Sequence, residues 1–146
     1  MSNFKIRPLK ESDYYHGFLE LLEQLTSVGA DEISYELFVK QMKSINSHVV
    51  VIQNDNNGDG RIIGTAAILI EKKFIHKLSS VGHIEDVVVD QEYRGNGLGK
   101  ILVDYCIAYA KNNDCYKVIL NCSEDNVPFY SKCGFTCKNL EMSLYF

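Results

Sequence analysis

The stretch Arg94-Gly95-Asn96-Gly97-Leu98-Gly99-Lys100 is where residue type and spacing first suggest chemistry. It follows the apolar run Val87-Val88-Val89 and opens a helical pattern of Leu98, Ile101, Leu102, Tyr105 and Ala108. Glycines let a chain turn sharply and bring successive N–H groups toward an anion. The helix that follows adds unpaired donors and the positive end of its dipole. The product is a phosphate or pyrophosphate cradle, with Arg94 and Lys100 as flanking cations. Two familiar phosphate loops fail on spacing. Ile101 stands where a P-loop needs Ser or Thr, and Lys100 stands where a dinucleotide fingerprint needs its third glycine. A plain glycine-rich turn without a ligand stays open on this evidence alone.

The surrounding pattern predicts an α/β order. Phe4 to Leu9 reads as a strand, and Ser12 caps a helix carrying Tyr14, Phe18, Leu21, Leu22 and Leu25 that ends at Gly29. Ser34 caps a second helix with Leu37, Phe38, Met42 and Ile45. His48 to Gln53 and Arg61 to Lys73 form a hairpin around a polar turn. A basic segment, Lys72 to Lys77, leads to a strand over His83–Val89 whose unbroken apolar end predicts burial on both faces. Lys117 to Cys122 reads as a further buried strand, Asn126 to Cys133 as a short helix, and Phe135 to Tyr145 as a last strand.

Composition narrows the class. The 146 residues suit one domain, and 19 Asp and Glu against 15 Lys and Arg give a net charge of −4, which disfavours general nucleic-acid binding. Cys106, Cys115, Cys122, Cys133 and Cys137 are odd in number and contain no C-x-x-C pair, so neither a disulfide framework nor a zinc site is expected. Free thiols predict a reducing, cytoplasmic setting, with Cys122 and Cys133 buried and no metal. No apolar run reaches the roughly 20 residues of a membrane helix.

Arg94-x-x-Gly97-x-Gly99, set between strand and helix, together with Asn126-x-x-Phe129-Tyr130-x-x-x-Gly134-Phe135, resembles the two signatures of the GNAT acetyltransferase superfamily. Within it, Leu25–Gly29, Glu71–His76, Gly82–Val89, Gly95–Lys100, Cys115–Lys117 and Cys122 with Asn126–Phe135 are similar to glucosamine-6-phosphate N-acetyltransferases. That resemblance implies a single α/β (α+β GNAT-like) domain over 1–146, with a central mixed, mostly antiparallel twisted sheet, flanking helices and a splayed central strand. It implies transfer of the acetyl group of acetyl-CoA to the 2-amino group of glucosamine 6-phosphate, toward UDP-N-acetylglucosamine, by a homodimer.

The same resemblance assigns residues. Val87 and Val89 would line the coenzyme through backbone N–H groups, with Arg94, Gly95, Asn96, Gly97, Leu98, Gly99, Lys100, Asn126 and Tyr130. Tyr130 would protonate the departing thiolate; its phenol is neutral at pH 7. Glu85, Asp86 and Val87 would act on the acceptor, although adjacent strand residues share a pocket only across a bulge, which the family's strand carries. Thr26, Lys73, Phe74, Ile75, His76, Tyr116, Lys117 and Asn121 would complete the sugar-phosphate site. His48 and His83 read as structural. Two departures stand out: Asn121 replaces a frequent Asp, and Tyr145 occupies the place of an Arg that reaches the phosphate, so the clamp must differ. Another amine acceptor, a polyamine or protein amine, is the alternative that the acidic charge favours and the basic 72–77 segment opposes. A non-enzymatic acetyl-CoA module is the third reading.

Overall fold

A computed structural model describes residues 3–146. In chain order the elements are β1 (Phe4–Pro8), α1 (Phe18–Leu22), α2 (Tyr35–Ser44), β2 (His48–Asn54), β3 (Arg61–Lys72), α3 (Ile75–Leu78), β4 (Ser80–Val89), α4 (Leu98–Asn112), β5 (Cys115–Ile119) and α5 (Val127–Lys132). They form one α/β unit around a five-stranded sheet of order β1-β2-β3-β4-β5. Pairing is antiparallel from β1 to β4 and parallel between β4 and β5. The parallel pair follows from connectivity, because α4 provides the crossover that a parallel neighbour requires.

Strand alternation divides the core in two. Val50, Ile52, Ile63, Ile68 and Ile84 point toward α4, where Leu102, Val103, Cys106 and Ala110 meet them. Val51, Ile62 and Val88 point the other way, toward Phe18, Leu19 and Leu21 of α1 and Phe38 of α2. Strand β3, buried from Ile62 to Ile68, is covered on both faces, as is β2 from Val50 to Ile52, and more fully than β4.

Four expectations change. The helix after Ser12 is broken: a 3-10 turn covers Glu11–His16, and Gly17 at φ 84° separates it from a one-turn α1. Ser34 does cap α2, accepting from Leu37 N at 3.2 Å, but Leu37 itself faces solvent. Strand β5 is an exposed edge running Cys115–Ile119, not a buried strand to Cys122. Phe135–Tyr145 forms no strand; among the described residues it pairs with no strand, and Leu140, Met142, Leu144 and Tyr145 are each more than 80% exposed. Among the described residues no helix is long and apolar enough to cross a membrane.

The fully buried Asp13 anchors the break at Gly17. Both of its oxygens accept from Arg7 at 2.8 Å, and Oδ2 also accepts from Lys10 N at 2.9 Å. Burial pushes the Asp13 carboxyl upward, but the Arg7 hydrogen bonds, the Lys10 N–H and the Arg7 charge outweigh it and hold it below its ordinary value. A depressed folded pKa stabilises the protein above the unfolded carboxylate pKa, and that contribution is lost as pH falls through the folded value. Arg7→Met, by stranding a buried carboxylate, should cost about 3–5 kcal/mol at pH 7 in denaturant titrations. The double variant with Asp13→Asn should lose less, because no charge is then left unpaired.

Candidate active site

Helix α4 presses hardest on the sheet at Gly82, where an added Cβ would lie 3.2 Å from Ala110 Cβ and from Ile68 Cδ1. Here β5 still runs beside β4, in pairs from Ser80↔Cys115 to His83↔Ile119. Beyond His83 the strands part. From Ile84 to Val89 the β5-side edge of β4 has no strand partner, which is the splay expected of the central strand. Val87 and Val89 lie on this open stretch.

The glycine loop closes one end of the gap. Gly95 and Gly97 adopt φ of 85° and 77°, a region that penalises every side chain, and nothing lies within 4 Å of where their Cβ atoms would be. Gly97 is the N-cap of α4 and supplies no side chain, so the first N–H groups of the helix face open space. Asn96 braces the loop by donating to Tyr93 O at 3.0 Å, and Arg94 Nε donates to Val89 O at 3.1 Å. Lys100 is turned along the helix to Asp104 at 2.6 Å, and that hydrogen bond raises its pKa. A pyrophosphate fits this arrangement through backbone donors first.

Gly99 does something different from its two neighbours. Its missing Cβ would stand 3.1 Å from Phe129 Cζ, so its absence lets α5 dock against the start of α4. That docking fixes the position of Tyr130, the next residue of α5. Tyr130 packs against the core, with the rings of Phe129 and Phe135 set edgewise at 4.8 and 6.1 Å. Burial raises its phenol above the ordinary value of 10.0, and the nearby Cys122, Cys133 and Cys106 thiols add to the shift. The neutral form of the phenol is thereby favoured. Asn126 ends the 3-10 turn that leads into α5.

The acceptor side rests on a bulge. Ala67 pairs with Glu85 and Thr65 with Val88, leaving Asp86 and Val87 opposite Ala66 alone. Asp86 takes the extra residue at φ 53°. Glu85 and Asp86 consequently line the same cavity of about 360 Å³, whose walls come from Phe18, Leu22, Phe38 and Met42. A second group gathers at the start of β4. Lys73 N donates to Ser79 O, the His76 and Tyr116 rings meet at a tilt of 30° with centroids 4.1 Å apart, and Lys117 Nζ lies 5.6 Å from the Tyr116 ring. His76, Lys77 and Leu78 are all left-handed, and Phe74 is 92% exposed. Glu71 takes contacts from His83 at 3.0 Å and Lys73 at 3.2 Å, which hold its carboxyl below the usual value.

Not every expected site residue converges. Five residues of β4, about 17 Å at strand spacing, separate Glu85 from Ser80, beside which the Lys73–His76 and Tyr116–Lys117 group sits. Thr26 lies on the exposed turn after α1, and Asn121 on the exposed stretch between β5 and α5. Cys122 is exposed rather than buried, while Cys106 is the buried thiol and is pushed up to about 12. His48 is structural, sandwiched against Tyr109 at 4.2 Å and bonded to Tyr105 Oη at 2.9 Å. Spacing gave no sign of the contacts joining Gln24, Arg61 and Asp90 behind the loop, because they lie far apart in sequence.

Comparison with known proteins agrees with this geometry. A family model described as acetyltransferase (GNAT) family matches residues 15–135. Glucosamine 6-phosphate N-acetyltransferase of Arabidopsis thaliana is 44% identical over 147 residues, covering 98% of this chain and 97% of that protein. The protein of that name from Candida albicans is 42% identical, covering 95% and 93%. The crystal structure of the Arabidopsis enzyme superposes with a TM-score of 0.93 at 43% identity, over 99% of each chain.

The loop geometry makes Gly97→Val a direct test. A β-branched residue at positive φ is strained by roughly 1–2 kcal/mol and fills the space above the helix N-terminus. Calorimetric titration with CoA should show at least about a tenfold loss of affinity, since each 1.4 kcal/mol is a factor of ten. Unchanged affinity would remove the loop from the coenzyme site.

Proposed function

The chain belongs to the acetyltransferase (GNAT) family, and from that premise we propose that it transfers the acetyl group of acetyl-CoA to the 2-amino group of glucosamine 6-phosphate. The products are CoA and N-acetylglucosamine 6-phosphate, a step toward UDP-N-acetylglucosamine. The observation that carries the reading is the open edge of β4 from Ile84 to Val89, which runs from Glu85 and Asp86 at the cavity to the foot of the glycine loop.

Each residue has a defined task. The backbone N–H donors of loop 94–100 hold the coenzyme pyrophosphate, and Val87 and Val89 align its acyl arm along the open edge, with Asn126 beside it. Fixed N–H groups near Val87 stabilise the oxyanion that forms when the amine attacks the thioester carbonyl. Glu85 and Asp86 orient the amine and sugar hydroxyls. As the C–N bond forms and the C–S bond breaks, Tyr130 gives its proton to the thiolate, and the proton lost by the nitrogen passes through solvent to restore the Tyr130 phenol. Lys73, Phe74, Ile75, His76, Tyr116 and Lys117 form one group about 17 Å along β4 from Glu85, so they reach the sugar phosphate of an acceptor held there only from the second copy of a dimer, while Thr26 and Asn121 would contribute from the exposed stretches after α1 and after β5.

The working unit is a homodimer. Leu140, Met142, Leu144 and Phe146 alternate along the C-terminal segment, and all are more than 80% exposed. That is the pattern of a half-buried strand lacking its sheet. Strand β5 leaves an edge open, with Tyr116 and Ile119 partly exposed. An open edge and an unpaired apolar strand complement one another between two copies. Five free cysteines suit the cytoplasm as its location.

Release of CoA from acetyl-CoA should occur with glucosamine 6-phosphate and not with glucosamine, spermidine or a lysine peptide. Turnover with either of the last two would overturn the acceptor. Tyr130→Phe should lower kcat by about 100-fold, the scale of a lost general acid, while CoA affinity changes little. Because the Tyr130 phenol titrates above its ordinary value, its loss of a proton should not depress kcat between pH 7 and 9. In light-scattering chromatography the protein should run at twice its 16.6 kDa chain mass. The combined variant Leu140→Asp, Met142→Asp, Leu144→Asp should run as a monomer.

A further inference from the structure

Behind the glycine loop, Asp90 is 1% exposed and joins three parts of the fold. Its Oδ2 accepts from Arg61 Nη2 at 2.7 Å and from Gln24 Nε2 at 3.3 Å; its Oδ1 accepts from Glu92 N at 2.9 Å. Its own N–H donates to Ile63 O at 2.8 Å, and its carbonyl accepts from Tyr93 N at 2.8 Å. Tyr93 is pinned in turn, its hydroxyl accepting from Asn54 Nδ2 at 2.9 Å. The base of the coenzyme loop is thus fixed to β2 and β3.

Gln24, on the turn after α1, is tied into this network. Its Nε2 donates to Asp90, and its Oε1 accepts from Gln91 N at 2.9 Å. A carboxamide is needed here, since one end must donate while the other accepts. Two residues on is Thr26, whose N–H closes the same turn on Leu22 O at 3.1 Å. A shift of the Gln91–Tyr93 turn when a pyrophosphate enters the loop would be felt by Gln24, and so by the turn that presents Thr26.

We propose that Gln24 and Asp90 are positioning residues that couple coenzyme binding to acceptor binding. The inference rests on reading 94–100 as the coenzyme loop and Thr26 as an acceptor contact. Neither residue touches the reacting atoms; each acts through the turn it holds. Arg61 neutralises the buried carboxylate so that the loop above it can receive an anion.

The test is calorimetric titration of glucosamine 6-phosphate into the full chain, with and without saturating CoA. CoA should tighten acceptor binding by roughly fivefold or more, the usual scale of coupling between sites. In Gln24→Ala that ratio should fall below about twofold, with acceptor affinity in the absence of CoA nearly unchanged. Gln24→Glu should not restore coupling, because it keeps the acceptor for Gln91 N–H but sets a second carboxylate against Asp90. A lower unfolding temperature with coupling intact would mean that Gln24 is only a brace, and would overturn the proposal. So would the absence of coupling in the unmodified protein. If the unmodified protein bound no CoA at all, the coenzyme-loop reading itself would fall, and this inference with it.

Discussion

Between Thr65 and Ala67, strand β3 uses one residue where β4 uses two. The rest of the site depends on that extra residue. Without it Glu85 and Asp86 would point to opposite faces of the sheet; with it both reach one cavity, at the cost of a left-handed Asp86. A non-glycine residue in that region is sustained only when its surroundings over-determine it. Here β3 pairs on either side of the bulge, and α1 and α2 cover the face below it. The bulge also lies within the stretch where β4 leaves β5, so acceptor wall and coenzyme edge belong to the same six residues, Ile84 to Val89.

A protein of net charge −4 that binds two anions must do so by local means. At the glycine loop and its base the cations are engaged, Lys100 with Asp104 and Arg61 with Asp90, and Arg94 lends its Nε to the Val89 carbonyl. Lys73 pairs with Glu71, while Lys72, Lys77 and Lys117 form no ion pair among the described residues. Free point charge is therefore scarce at the loop, which relies on N–H groups without a partner among the described residues. Such donors are fixed in space and need no rearrangement when an anion arrives. They also leave the surface acidic.

What could be read in the sequence was whatever depended on neighbours within one turn or one strand. Gly97 and Gly95 announced a left-handed loop, Ser34 a helix cap, and the pairing of the glycine loop with Asn126–Phe135 the superfamily order. The strand bulge at Asp86 came from family likeness alone, since nothing in Glu85-Asp86-Val87 forces it. The misreadings share a cause. Gly17 broke the first helix because Asp13 is held by Arg7, a contact between a strand and a turn that periodicity cannot see. The left-handed His76, Lys77 and Leu78 carry no glycine to announce them. β5 looked buried because Val118, Ile119 and Leu120 are apolar, yet its outer edge has no neighbour within the chain.

Gly99 shows how one missing atom serves chemistry at a distance. The loop needs glycine at 95 and 97 for backbone conformation, but Gly99 is an ordinary helical residue whose side any small group could occupy were Phe129 not there. Phe129 can sit close because Gly99 carries no side chain, and the next residue, Tyr130, belongs to the same helix of only six residues. A helix that short has little stability of its own. It keeps its place by docking Phe129 on Gly99 and by the bond from Phe135 N to Tyr130 O at 3.1 Å. The glycine that reads as part of the phosphate cradle is thereby also what seats the helix bearing Tyr130, and residues of both superfamily signatures meet at that one contact.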